Sequence, residues 1–126
     1  MRQQDIDGSP DGGKTHEQVY DVKWSGAETG RKPGANGKLP PVGNTVDLKT
    51  ATYANSIGAA ELSALWTDPT FDPAQKAFYY VRVLEIPTPR WVAYDVVRYG
   101  AKPSSKVTMI QQERALTSPI WYSPAG

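Results

Sequence analysis

There is no cysteine among the 126 residues, and the one histidine is His16. The first absence excludes disulfides and thiolate chemistry. It suits an exported protein as well as a cytosolic one, so it leaves the compartment open. The second leaves little from which a metal centre could be built. A glycine-rich loop of the phosphate-cradling type is also missing. Neither sign of charge prevails, with 14 Lys and Arg against 13 Asp and Glu and a net charge of +1. Without a long-range field to gather polyanions, nucleic acid and acidic membranes are not expected partners. No apolar run approaches the roughly 18 residues of a membrane span. The opening, Met1-Arg-Gln-Gln-Asp-Ile-Asp7, has no apolar h-region, so no signal peptide is expected.

What is present describes a small β-rich domain. The apolar fraction is a modest 39%, but four Trp and seven Tyr compensate, since each aromatic ring buries roughly 150–250 Å². Residues 5–13 read as a turn cluster, with Asp7-Gly8, Pro10 and Asp11-Gly12-Gly13. Behind it, residues 17–25 alternate with period two, placing Gln18, Tyr20, Val22 and Trp24 on one side. An Asp-Gly turn normally joins two strands, yet Arg2-Gln-Gln-Asp5 is a poor strand, so the first arm of the hairpin is expected to be missing. A strand left without its partner would expose a backbone edge and drive self-association.

A Gly- and Pro-rich loop follows over residues 25–44, long enough to be either functional or loosely ordered. Strand pattern returns at 45–53, with Val46 and Leu48 on the buried face. Residues 59–66 read as a further strand, although Leu62, Leu65 and Trp66 would also share a helical face. The best strand is 78–86: Tyr79, Val81 and Val83 point one way and Phe78, Tyr80, Leu84 and Ile86 the other. Apolar residues on both faces mark a central strand, in which Arg82 needs a partner or an exit to solvent. Thr88-Pro89 reads as the N-cap and first position of a short helix ending at Gly100, with Trp91, Tyr94 and Val97 as its buried stripe. Residues 106–110 and 118–122 are expected as closing strands, the last on an edge because of Pro119. The expected fold is mainly β: sandwich-like antiparallel sheets, one short helix at about 88–100 and the long loop at 25–44. Residues 1–13 form a turn-rich N-terminal remnant, and 14–126 a single β-rich domain.

Few residues suggest chemistry. His16, Glu17 and Asp21 are the only imaginable metal set, but on a strand His16 faces away from the two carboxylates, and a surface histidine is the better reading. Asp68 and Asp72, each before a proline and four apart, could act as paired carboxylates; Asp-Pro more often initiates turns. Arg90 and Trp91 could present a guanidinium and a ring to an anionic ligand, against the simpler reading of a first-turn Arg beside a core Trp. The aromatics Trp24, Trp66, Tyr79, Tyr80, Trp91, Trp121 and Tyr122 could stack on sugars, but most occupy core-facing positions of expected strands. The candidate ligand-facing residues are therefore Arg90, Trp91, Asp68 and Asp72, with no catalytic, cofactor or metal residue in this chain.

Four segments carry a resemblance. They are Lys14-Thr-His-Glu-Gln-Val-Tyr-Asp-Val-Lys-Trp-Ser25, Pro40-Pro-Val-Gly-Asn-Thr-Val-Asp47, the run from Trp66 to Trp91, and Gln112-Glu-Arg-Ala-Leu-Thr-Ser-Pro-Ile-Trp-Tyr122. From Lys14 onward the chain resembles the C-terminal end of a bacterial family known as domain of unknown function 3604. The resemblance implies relatives several times longer, generally exported, whose N-terminal portions look like PHP-type metal-dependent phosphoesterases that hold divalent metal. Their His-x-His motif has no counterpart here, so no ligand can be carried over to any position. The implied role is a non-catalytic terminal portion that packs against the catalytic portion, in cis or in trans. The alternatives are a small ligand-binding module, built on Arg90, Trp91 and the 25–44 loop, and a segment that completes a metallohydrolase active site in trans. Relatives run a strand into the Asp-Gly turn, whereas here residues 1–4 are expected to replace it and 8–13 to lengthen the turn. The chain is expected to be a truncated product or a fragment.

Overall fold

The computed structural model describes residues 2–7 and 16–124, and the side chains from Glu17 onward. Among these residues five strands and one helix occur, in the order β1 (Arg2–Asp7), β2 (His16–Asp21), β3 (Ala77–Pro89), α1 (Trp91–Tyr99), β4 (Ile110–Leu116) and β5 (Ile120–Tyr122). The strands form one sheet in the order β2-β1-β3-β4, with β5 also on β3. The chain is thus mainly β with antiparallel pairing and a single short helix among the described residues, as its composition implies.

The hairpin arm expected to be absent is there. Arg2–Asp7 pairs antiparallel with β2, Arg2 opposite Asp21 and Asp7 opposite His16, and on its other side with β3, where Gln3 meets Val81 and Asp5 meets Tyr79. A polar segment can do this because a ladder is made of backbone N–H and C=O groups, which every residue but proline supplies. The notion that residues 1–4 replace a strand is therefore corrected, and with it the idea that β2 lacks a partner. The turn assigned to residues 8–13 lies outside the described residues.

The chain divides into two compact units, one comprising residues 1–24, 61–83 and 115–126, the other 25–60 and 84–114. In the first, the packing is aromatic. Trp66 meets Tyr20 at 5.1 Å and Tyr79 at 6.3 Å between ring centroids, Phe78 meets Trp121 at 4.7 Å, and Phe71 meets Tyr122 edge-on at 4.8 Å. Such tilted and edge-to-face pairs are the favoured ring geometries. Residues 59–66 form no strand; Trp66 is held by ring contacts rather than by a ladder, and Leu65 is fully exposed.

In the second unit the buried apolar residues are Ala51, Pro89, Val92 and Ala93, none of them large. The expected strand at 45–53 is instead a reversal closed by one bridge, Asp47 to Thr52. Its cause is the Asp47 carboxylate, which accepts the Lys49 N–H at 2.9 Å and the Thr50 hydroxyl at 3.1 Å and so turns the chain back. The long loop is ordered by Arg31, whose guanidinium donates to the Pro40 carbonyl at 3.0 and 2.8 Å and to the Ser25 carbonyl at 2.9 Å. At Gly58 the backbone takes φ +82°, and a Cβ there would lie 2.6 Å from Ile86 Cγ2. Only glycine fits that approach.

The helix begins two residues later than Thr88-Pro89 suggests. Thr88 and Pro89 are instead the last residues of β3, and the extended backbone runs on to Arg90, whose N–H donates to the Met109 carbonyl at 2.8 Å. Gly100 ends it as expected, left-handed at φ 65°, with Arg98 in the last turn. The buried residues are Val92 and Ala93, whereas Trp91, assigned to the core, is 67% exposed. The strand expected at 106–110 is a turn, with the Val107 N–H on the Ser104 carbonyl, and β4 starts only at Ile110.

Candidate functional site

A cavity of about 660 Å³ opens within the first unit. Three short pieces of chain build it. The period-two geometry of β3 sets Tyr79 and Val81 on one face, and antiparallel pairing brings Ile120 of β5 opposite Tyr79. The loop after Trp66 supplies Asp68 and Phe71 over that face. Its shape is maintained by hydrogen bonds to the Asp68 carboxylate, one oxygen of which accepts the Thr70 N–H at 2.8 Å and the Thr70 hydroxyl at 2.9 Å. The other accepts the Tyr79 hydroxyl at 2.8 Å, tying loop to strand. On the far side Thr117 Oγ1 accepts the Val81 N–H at 2.9 Å, and the Thr117 N–H donates to the Val81 carbonyl at 3.0 Å.

The four candidate residues do not form one constellation. Asp68 lines the cavity and is half-buried. Asp72 belongs to the same unit but is exposed and does turn work, accepting the Ala74 N–H at 2.9 Å. Arg90 and Trp91 belong to the second unit, one as the extended residue before α1, the other on the helix surface. His16 sits at the start of β2, and its side chain lies outside the described ones. Among the described residues no three His, Cys, Asp or Glu side chains gather as metal ligands. No described helix is long and apolar enough to cross a membrane.

Sequence reading weighed Trp66 and Tyr79 as stacking rings but favoured the core for them, because a large ring on an alternating pattern carries the signature of a core residue; the structure places both on the cavity wall. The spacing Trp66-Thr-Asp68 before a strand beginning with aromatics is the only local trace of the arrangement. What joins them is a side-chain bond across eleven residues, which local periodicity does not reveal.

Over residues 1–124 the chain matches the family described as Protein of unknown function (DUF3604). It belongs to the DUF3604 family. The match takes in the opening residues as well as those from Lys14, in keeping with β1 being an integral strand. No curated protein and no solved structure matches it. As a DUF3604 chain, it shows a β-rich unit whose aromatic cavity carries a carboxylate fixed by its own loop.

Proposed function

We propose that this DUF3604 chain acts as a non-catalytic β-rich portion of a metal-dependent-hydrolase-like protein, packing against the catalytic portion either in cis or in trans. The observation that carries the reading is apolar side chains left at the surface of the first unit. Leu65 is 100% exposed, Trp121 71% and Ile120 70%, with Leu116 also largely open. Scattered apolar residues are ordinary on any surface, but three of these four come from the seven residues 116–122 around β5. Concentrated exposure of this kind marks an interaction surface. The occupant that fits the family resemblance is the catalytic body of a relative, whose metal site the chain would border without supplying ligands.

The test mixes this chain with the separately expressed catalytic portion of a longer relative and follows complex formation by sedimentation. Association weakened by Leu65→Asp or Trp121→Glu is expected. The chain alone, given phosphodiester substrates with Mn²⁺ or Zn²⁺, should show no turnover. Hydrolysis by the isolated chain that a chelator abolishes refutes the proposal.

A further inference from the structure

We propose that the cavity of the first unit is a binding site for a quaternary ammonium group. The inference does not depend on the docking role above, because Trp66, Asp68 and Tyr79, on which it turns, take no part in that role, and only Ile120 is common to both. Two ring systems of the lining meet there: Trp66 and Tyr79 pack edge-to-face, with centroids 6.3 Å apart and planes inclined at 60°. A cation held within about 6 Å of a ring centroid is attracted by the negative face of the π-system, and ring centroids this close put both rings within reach of one cation lodged beside the pair. Phe71, 46% exposed, adds a third ring to the lining, and Val81 and Ile120 complete an apolar wall suited to methyl groups.

Among the described residues of the lining, Asp68 is the one acidic side chain, and it decides between ligand classes. Asp68 already accepts three hydrogen bonds, from the Thr70 N–H, the Thr70 hydroxyl and the Tyr79 hydroxyl. An ionised carboxylate offers about four lone-pair sites, so little of its accepting capacity is left. A sugar needs several well-placed acceptors and donors around its hydroxyls, and a primary ammonium needs acceptors for three N–H groups. A tetra-alkylated nitrogen needs none. It responds to negative charge and to ring faces rather than to lone pairs. The Tyr79 hydroxyl strengthens the site further, since donating its proton toward a carboxylate raises the electron density of its own ring. The Thr117 hydroxyl oxygen, which accepts the Val81 N–H, is likewise committed to the scaffold.

The experiment titrates the whole chain with choline and, separately, with its neutral carbon isostere 3,3-dimethylbutan-1-ol, followed by NMR shifts of the Trp66 indole N–H. Choline is expected to bind about tenfold more tightly, the size of a desolvated cation–π and charge contribution. Asp68→Asn is expected to remove most of that preference while leaving the isostere's affinity in place. Should that variant fail to fold, Phe71→Leu keeps the test decisive: losing an exposed ring must weaken choline more than the isostere. Phosphatidylcholine vesicles run beside free choline tell a lipid headgroup from a soluble compound, and binding to either supports the shared chemistry. Equal affinity for choline and the isostere, or no saturable choline binding in the millimolar range, overturns the proposal.

Discussion

Gly58→Ala tests how tightly the second unit is packed. Two penalties act together at this position. The backbone sits at φ +82°, where a Cβ costs about 1–2 kcal/mol. The new methyl would also lie 2.6 Å from Ile86 Cγ2, well inside ordinary van der Waals contact. Forcing an extra carbon into a packed site costs typically about 1–3 kcal/mol. The sum is about 2–5 kcal/mol, a large part of the roughly 5–15 kcal/mol that holds a domain together. Gly37→Ala supplies the control, because Gly37 has φ +69° but no atom within 4 Å of the added Cβ. Its cost should be the backbone penalty alone, about 1–2 kcal/mol. The entropy that any Gly→Ala change removes from the unfolded chain is common to both and cancels in the comparison. Urea unfolding followed by circular dichroism reads the difference as a shift in midpoint at unchanged slope. The double variant Gly58→Ala with Ile86→Ala should lose less stability than the two single losses added together, since deleting Cγ2 makes room for the methyl. Equal destabilisation by Gly58→Ala and Gly37→Ala, or strict additivity of the double variant, refutes the close approach.

Tyr79→Phe should cost about 1–2 kcal/mol, the net worth of a hydrogen bond to a charged acceptor in a half-buried setting, read as a lower urea midpoint; an unchanged midpoint contradicts the bond's role in tying loop to strand. Arg31→Lys keeps the charge but loses the planar fork that spans the Ser25 and Pro40 carbonyls. Amide exchange and proteolysis across residues 26–40 should speed up while the strands stay protected, and uniform protection would count against Arg31 as the organiser of the loop. β2 ends the strand order and keeps one backbone edge without a partner strand among the described residues. Light scattering should therefore show mass rising with concentration, and a clean monomer throughout removes the edge as a site of self-association.

How far the sequence could be read depended on whether a segment's state is set locally. β3 was legible because alternation of large residues on both faces suits only a central strand. The end of α1 was legible because Gly100 alone among its neighbours tolerates the left-handed conformation. The two Asp-Pro turns were legible because each carboxylate bonds the N–H two residues on. The start of α1 was misjudged because the Arg90 N–H is taken by Met109, nineteen residues away. The apolar pattern at 45–53 gave way to a reversal in which the Asp47 side chain satisfies the turn.

From its order of residues alone this protein was bound to be β-rich, poor in metal ligands and furnished with aromatic rings in place of a large aliphatic core. Those properties follow from composition and short-range geometry, which act wherever the chain lies. Three-dimensional pairing decided the rest. The polar stretch Arg2–Asp7 became a strand because neighbouring backbones offered hydrogen bonds on both sides, and side-chain polarity does not enter that bond. Likewise Trp66 and Tyr79 became walls of one cavity only when the Tyr79 hydroxyl met Asp68, a contact that exists once the loop has folded over the sheet.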